Sequence, residues 1–216
     1  MNKRKLLNII IFIIVMVNWL KMVFVFTDTA LTSIGLSSLK YFTVLSNLLE
    51  AAACVVWLIN GNEKIKYIAA VSVTLTMVVV LTFLGPLFGY IPMFTGVSFW
   101  MHLIVPVAAL LEVLFWSKEK FSKKDNLIAC IPLGLYGVFY IGNNLINGRG
   151  QWPHTNDWYA FLTWGYPIGF LLFAAIVAVV YLIGLFIRKI RERHQTDSYE
   201  KESSVQDSFL HTSTSA

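Results

Sequence analysis

The side chains of this sequence that could do chemistry stand inside long apolar runs, and four of them recur at spacings of three or four residues. These four are Thr43, Ser46, Asn47 and Glu50. At about 100° per residue they fall within an arc of about 100°, so a helix would carry all of them on one face. An ionised side chain in hydrocarbon costs about 2.5–3.5 kcal/mol even on the lenient scale. We therefore expect this face to point into a helix bundle or a water-filled cavity.

A hydroxyl and an imidazole in this sequence suggest acyl transfer. The hydroxyl of Thr43 is a weak nucleophile and needs a base within about 2.6–3.2 Å, which neutral His102 could supply. Both residues stand near the start of apolar runs that are predicted to cross the membrane in the same direction. Thr43 and His102 are therefore candidate catalytic residues at one depth, with a hydrogen-bonded residue at a helix interface as the alternative for His102. Ser46 is an alternative nucleophile, and Asn47 could donate to the oxyanion of an ester's tetrahedral intermediate.

Other polar groups in the apolar runs are candidate substrate-binding residues. Beside Ser46 and Asn47 they are Glu50, Lys21, Tyr140 and Asn144. Lys21 could reach the lipid headgroups, pair with Glu50, or bind an anionic group of a substrate. Glu50 could instead join two helices, and Glu112 is expected to meet the basic segment 118–124. Neither cysteine has a partner Cys or His at metal-ligand spacing, so the sequence predicts no metal site and no cofactor.

The composition of the chain is that of a helical membrane protein. Of its 216 residues 57% are apolar and 13% are charged, whereas a soluble domain has about 45–50% and about 25%. We predict an all-α, polytopic membrane protein with six transmembrane helices in residues 1–194. The apolar runs that mark these helices are 6–26, 41–59, 67–88, 99–116, 127–142 and 161–187.

The distribution of cations predicts the orientation of the helices. Lys and Arg concentrate at the N-terminus and in segments 60–66, 117–126 and 188–193, whereas the intervening loops carry only Lys40 and Arg149. Cations in short loops stay on the cytoplasmic side. We predict that both termini are cytoplasmic in a multi-pass protein of the plasma membrane. A net charge of +5 could suggest nucleic acid, but the position of the cations on one side of a membrane predicts membrane lipids as partners and no nucleic acid.

Two segments outside the apolar runs have distinct compositions. Residues 195–216 are rich in Ser, Thr and charged residues and are predicted to form a disordered cytoplasmic tail. The outer loop before the sixth run holds Trp152, Trp158 and Tyr159. These aromatic residues are expected to anchor at the lipid headgroups, with capping of a ligand as the alternative.

Short motifs resemble a broad family of bacterial six-span membrane proteins of unassigned function. That family has a Phe-Thr-x-x-Ser-Asn motif at the start of the second span, a His-x-x-x-Pro motif at the start of the fourth, and a Trp-Tyr segment before the sixth. The matching residues are Phe42, Thr43, Ser46, Asn47, His102, Pro106, Trp158 and Tyr159. The chain departs from the family at Leu45, where Gln is common, and at Glu112, where Asp is common. The resemblance implies a six-span fold over roughly residues 6–190.

A more distant likeness is to the androgen-induced membrane hydrolases, six-span enzymes that cleave fatty acid esters of hydroxy fatty acids with a Thr nucleophile and a His. In that family the Thr opens the second span and the His lies in the fourth, which implies these roles for Thr43 and His102. The resulting hypothesis is a lipid-ester hydrolase or acyltransferase with an outward-facing intramembrane pocket that takes a lipid ester or acyl substrate. The alternatives are a transporter or small-ligand binding protein that uses Glu50 and Lys21, and a non-catalytic membrane scaffold.

Overall fold

The chain folds into a bundle of helices. The computed structural model describes residues 2–24, 35–151 and 154–213, with side chains of the last range described as far as Arg193. Six helices in these residues are long and apolar enough to cross a membrane, and no strand is among them. They are α1 (Lys3–Phe24), α2 (Phe42–Asn60), α3 (Glu63–Phe88), α4 (Gly96–Trp116), α5 (Lys123–Asn147) and α6 (Tyr166–Ser213). The prediction of an all-α, six-helix membrane protein is confirmed.

Lengths and composition explain why these helices suit a bilayer. The shortest, α2, has 19 residues and extends about 28 Å, close to the hydrocarbon thickness of about 30 Å. In α6 the apolar part that could cross ends at Arg193. The predicted tail, 195–216, lies where side chains are not described, so its disorder stays a prediction.

Three of the helices are interrupted, each just before a proline. A π-helical turn occupies Val80–Leu84 in α3 and another occupies Trp100–Ile104 in α4, while α5 is broken at Cys130. Proline lacks an N–H donor and clashes with the preceding turn, which disturbs the regular hydrogen-bond ladder. The prolines concerned are Pro86, Pro106 and Pro132. Two shorter helices, Gly35–Lys40 and Tyr90–Met93, precede α2 and α4.

Local capping fixes the tight turn between α2 and α3. Gly61 adopts φ 71°, a left-handed conformation that glycine tolerates, and its N–H donates to Trp57 O at 2.8 Å. The side chain of Asn62 then accepts from the backbone N–H groups of Lys64 and Ile65. The two helices therefore run antiparallel and adjacent, which places residues late in α2 beside residues early in α3.

Helix α3 forms the centre of the bundle and α6 lies at its edge. The apolar window of α3 is 61% buried, whereas that of α6 is 17% buried. Helix α3 packs against α2, α4, α6 and the first part of α5. We call the end where α1 begins the proximal end and the opposite end, where α2 begins, the distal end. The second part of α5, Ile131–Asn147, packs loosely on α2 and α6, so gaps open in the distal half.

The loop between α5 and α6 folds back onto the bundle. Trp158 and Tyr159 are both buried, and their rings pack against Tyr41 with centroid distances of 6.2 and 6.1 Å. The expectation that these two aromatic residues anchor at the lipid headgroups is therefore wrong. Trp152 lies outside the described residues.

Candidate functional site

Thr43 lies in the first turn of α2 and lines a small cavity at the distal end. The cavity measures about 30 Å³, which is room for about one or two water molecules. Its other polar lining comes from the hydroxyls of Thr76, Tyr136 and Tyr159, and the rest is apolar. We call this space the Thr43 cavity. Because most of this lining is apolar, the cavity places an acyl chain beside the Thr43 hydroxyl more readily than a polar solute.

Tyr159 lies directly beside Thr43. Its hydroxyl accepts a hydrogen bond from the backbone N–H of Phe42 at 2.8 Å, and the amide and hydroxyl of Thr43 are also within hydrogen-bonding reach. Burial raises the pKa of Tyr159 to about 12, so the phenol keeps its proton at neutral pH. A protonated phenol can donate a hydrogen bond to an oxygen on which negative charge develops.

A carboxylate holds the loop that carries Tyr159. Asp157 accepts from the backbone N–H of Leu162 at 3.0 and 3.2 Å and from the hydroxyl of Tyr140. Asn144 donates to the carbonyl of Asn156 at 2.9 Å. Tyr140 and Asn144, both predicted to bind substrate, thus position the loop, and neither lines the Thr43 cavity.

His102 lies buried in the π-helical turn of α4. Its Nδ1 is 2.8 Å from the carbonyl oxygen of Met93. Because a carbonyl only accepts, Nδ1 carries the proton, and Nε2 of the neutral ring then holds a lone pair. This is the tautomer that a general base requires. Among the described residues no hydrogen bond joins His102 to Thr43, so the catalytic pair stays a prediction.

Asn47 ties the helix of Thr43 to the helix of His102. Its Nδ2 donates to the carbonyl of Thr43 at 2.7 Å and to that of Met101 at 3.1 Å. Both N–H groups of the amide are therefore engaged, and an oxyanion would need another donor. Ser46 is also engaged, since its Oγ is 3.0 Å from the hydroxyl of Thr76 and donates to the carbonyl of Thr43.

A second polar group fills the proximal half. Glu50, fully buried, pairs with Lys66 Nζ, which also lies 2.8 Å from Glu112 Oε2. Arg4 Nε donates to Glu112 Oε1 at 2.9 Å, and its Nη2 donates to Glu63 Oε2 at 2.7 Å. These five residues, Arg4, Glu50, Glu63, Lys66 and Glu112, are called the ion network below.

Neutral groups add hydrogen bonds to the ion network. Asn8 Nδ2 donates to Glu112 Oε1 at 2.8 Å, and Trp57 Nε1 donates to Glu63 Oε1 at 3.2 Å. The guanidinium of Arg4 stacks 4.2 Å from the centroid of the Trp57 ring and donates to Trp116 O at the C-terminus of α4. Helix carbonyls at a C-terminus favour a cation, so the network joins α1, α2, α3 and α4.

The ion network corrects two expectations from the sequence. Glu112 was expected to meet the basic segment 118–124, and this is wrong because its carboxylate is buried between Arg4 and Lys66. Glu50 pairs with Lys66, and Lys21 is exposed near the end of α1 with no described contact to Glu50.

The structure also brings in residues that the sequence analysis passed over. Lys66 and Arg4 were counted as loop cations, yet both are buried inside helices. Their spacings on one helix face, Glu63 with Lys66 and Arg4 with Asn8, are the only sequence signals that pointed inward. In the described part of the chain no group of three His, Cys, Asp or Glu side chains could hold a metal ion. No family model, curated protein or solved structure matches the chain.

Proposed function

We propose that this protein hydrolyses or transfers the acyl group of a membrane-lipid ester at Thr43. The observation that carries the proposal is the position of the Thr43 hydroxyl in an apolar cavity beside the protonated phenol of Tyr159. Two π-helical turns support it, since Val80 and Leu84 of one line the cavity and His102 lies in the other. Such turns occur frequently at functional sites.

The proposed chemistry uses three side chains. The hydroxyl oxygen of Thr43 attacks the ester carbonyl while its proton passes to Nε2 of His102, and Tyr159 donates a hydrogen bond to the developing oxyanion. The C–O bond to the alcohol breaks, and the alcohol leaves with the proton from His102. Water, or a second alcohol in a transferase, then releases the acyl group from Thr43. Catalytic hydrogen bonds are often long before substrate binds, so we expect substrate to bring Thr43 and His102 together.

Turnover of fatty acid p-nitrophenyl esters by purified protein in nanodiscs tests this function. Thr43→Ala should reduce kcat by at least about 100-fold, while Thr43→Ser retains part of the rate. Thr76→Val is the matched control because Thr76 lines the same cavity and has no catalytic role. Equal rates for wild type and Thr43→Ala, or no turnover by wild type, would contradict the proposal.

Ion-coupled transport is the second candidate, and one observation favours it. Three carboxylates face two cations in the ion network, and Oε2 of Glu50 has no hydrogen-bond partner among the described atoms. An intramembrane carboxylate of this kind is typical of proton or cation pathways. Proton-driven uptake into reconstituted vesicles that is lost in Glu50→Gln, together with no ester hydrolysis by wild type, would establish this function in place of the hydrolase.

The location of the site completes the proposal. The Thr43 cavity lies at the distal end, which the cation distribution predicts to be the outer side of the plasma membrane. The substrate would then come from the outer leaflet.

A further inference from the structure

An apolar groove runs along the outside of the bundle between α2 and α5. It measures about 270 Å³, compared with the roughly 150 Å³ of an apolar cavity that takes benzene. Leu45, Leu135 and Phe139 line it and are exposed on helices that could cross a membrane, so the groove faces the lipid. Ser46 also lines it, with its hydroxyl hydrogen-bonded to Thr43 O and to Thr76. We call this space the α2–α5 groove.

Two aromatic residues separate the α2–α5 groove from the Thr43 cavity. Phe42 and Tyr136 line both spaces, and their ring centroids are 5.2 Å apart at an interplanar angle of 53°. The hydroxyl of Tyr136 donates to Lys40 O at 2.8 Å and accepts from Trp158 Nε1 at 2.9 Å. Moving Tyr136 would break these two hydrogen bonds, whereas the phenyl ring of Phe42 makes none. Rotation of Phe42 is therefore the less costly way to join the two spaces.

A lipid substrate needs such a connection. The Thr43 cavity of about 30 Å³ is too small for an acyl chain, and Tyr159 and Phe161 of the α5–α6 loop form part of its wall. Because Phe42 lines both spaces, moving its ring would connect the groove with the cavity that Thr43 lines. The groove offers an apolar surface along the path.

We infer that an acyl chain of a membrane lipid enters sideways from the bilayer, lies in the α2–α5 groove and presents its ester to Thr43 past Phe42. This inference rests on the proposed function. A smaller groove of about 120 Å³ between α3 and α6 also borders the cavity, through Val79, Phe161 and Ile176. We favour the α2–α5 groove because it is larger and ends at the residue adjacent to Thr43.

Chain-length selectivity tests the path. Leu135→Trp should fill the groove and lower kcat/KM for p-nitrophenyl palmitate at least about tenfold, since excluding two methylenes already costs that much. It should leave p-nitrophenyl acetate turnover unchanged, because acetate does not need the groove. Val138→Trp is the matched control, an exposed position on the same helix that does not line the groove. Ala175→Trp fills the smaller groove instead.

A binding readout separates this inference from the proposed function. Palmitate carrying a diazirine should label α2 and α5 of wild type on illumination, and Leu135→Trp should suppress the labelling. Labelling of these helices without ester hydrolysis would retain the groove as a lipid site and reject the hydrolase. Hydrolysis of p-nitrophenyl palmitate that persists in Leu135→Trp, or that is lost only in Ala175→Trp, would overturn the α2–α5 path. The proposed hydrolase function would still stand. Absence of labelling in wild type would also overturn the path.

Discussion

The two ends of the bundle use polar residues in opposite ways. At the proximal end, charged groups of α1, α2, α3 and α4 pair with one another in the ion network. At the distal end, a few neutral hydroxyls line apolar space, with gaps around the second part of α5, and the Asp157 carboxylate holds the loop that carries Tyr159. Buried charges that pair across helices hold the helices together, whereas sparse polar groups beside free volume leave room for a ligand.

The proximal end should serve mainly stability and the distal end mainly activity. Removing one partner from a buried ion pair leaves an uncompensated charge, so variants of the ion network should fail mainly in folding. Variants at Thr43 should fail mainly in turnover, because a hydroxyl that borders a cavity is removed with little loss of packing.

Lys66→Met should destabilise the protein by about 3–5 kcal/mol because Glu50 and Glu112 would lose their shared cation in a buried site. Thermal unfolding followed by circular dichroism, and the yield of monodisperse protein, measure this. Lys64→Met is the matched control, since the Lys64 side chain is 55% exposed and its carboxylate contacts are 3.7 Å or longer, which predicts a change of at most about 1 kcal/mol.

A double variant sharpens the same test. Adding Glu50→Gln to Lys66→Met removes the carboxylate that was left unpaired, and part of the lost stability should return. Equal stability of Lys66→Met and Lys64→Met would show that the ion network does not hold the proximal end together.

The ion network illustrates what the sequence could not predict. Apolar runs were enough to find all six helices, and the polar face of α2 correctly pointed inward, since Thr43, Ser46, Asn47 and Glu50 are all buried. The pairing of Arg4 with Glu112 joins residues 108 positions apart, and no local pattern encodes such a distance. Because basic residues also flank the ends of membrane helices, the sequence did not distinguish the buried cations Arg4 and Lys66 from loop cations.

The distal end shows a different limit. The apolar run 161–187 suggested a helix from Phe161, yet α6 begins at Tyr166. The reason is the turn around Ala160 and Gly165, both with positive φ, which directs Phe161 into the wall of the Thr43 cavity. Aromatic residues before a span resemble headgroup anchors in sequence, and only tertiary packing reveals Tyr159 as a neighbour of Thr43.

Thr43 and His102 should behave as a unit if they act together. Thr43→Ala and His102→Ala should each lower kcat by about 10²–10⁴-fold, and the double variant should cost little more than either single one. The unfolding temperature of Thr43→Ala should stay close to that of wild type, whereas His102→Ala should lower it, because His102 is buried and its Nδ1 donates to Met93 O. Effects on kcat that multiply in the double variant would mean that the two residues act independently, and the base would have to be sought elsewhere.

Tyr159→Phe should affect both stability and turnover. It removes the acceptor of the buried Phe42 N–H, which costs about 1–3 kcal/mol, and we expect kcat to fall about 100-fold through loss of an oxyanion donor. Tyr90→Phe, at an exposed hydroxyl, is the control. A kcat equal to that of wild type would remove Tyr159 from the proposed chemistry.

The pH dependence of stability gives Tyr159 a separate signature. Its pKa is about 12 in the folded protein and about 10 in an unfolded chain, so the folded state binds the proton more tightly. The stabilisation this provides is complete below about pH 10 and declines as the pH rises toward 12. The stability difference between wild type and Tyr159→Phe should therefore shrink over that interval.

The smallest expected effect comes from the backbone of the loop that carries Tyr159. Ala160 has φ 58°, a left-handed conformation that costs an L-residue about 1–2 kcal/mol and glycine much less. Because glycine also loses more entropy on folding, Ala160→Gly should stabilise the protein by only about 0.5–1 kcal/mol. Ala160→Val, at the same site, should destabilise it, since a β-branched residue tolerates this conformation poorly. Denaturation midpoints of the three proteins in one detergent measure the series. If Ala160→Gly proves less stable than wild type, backbone strain at this position does not limit the stability of the loop.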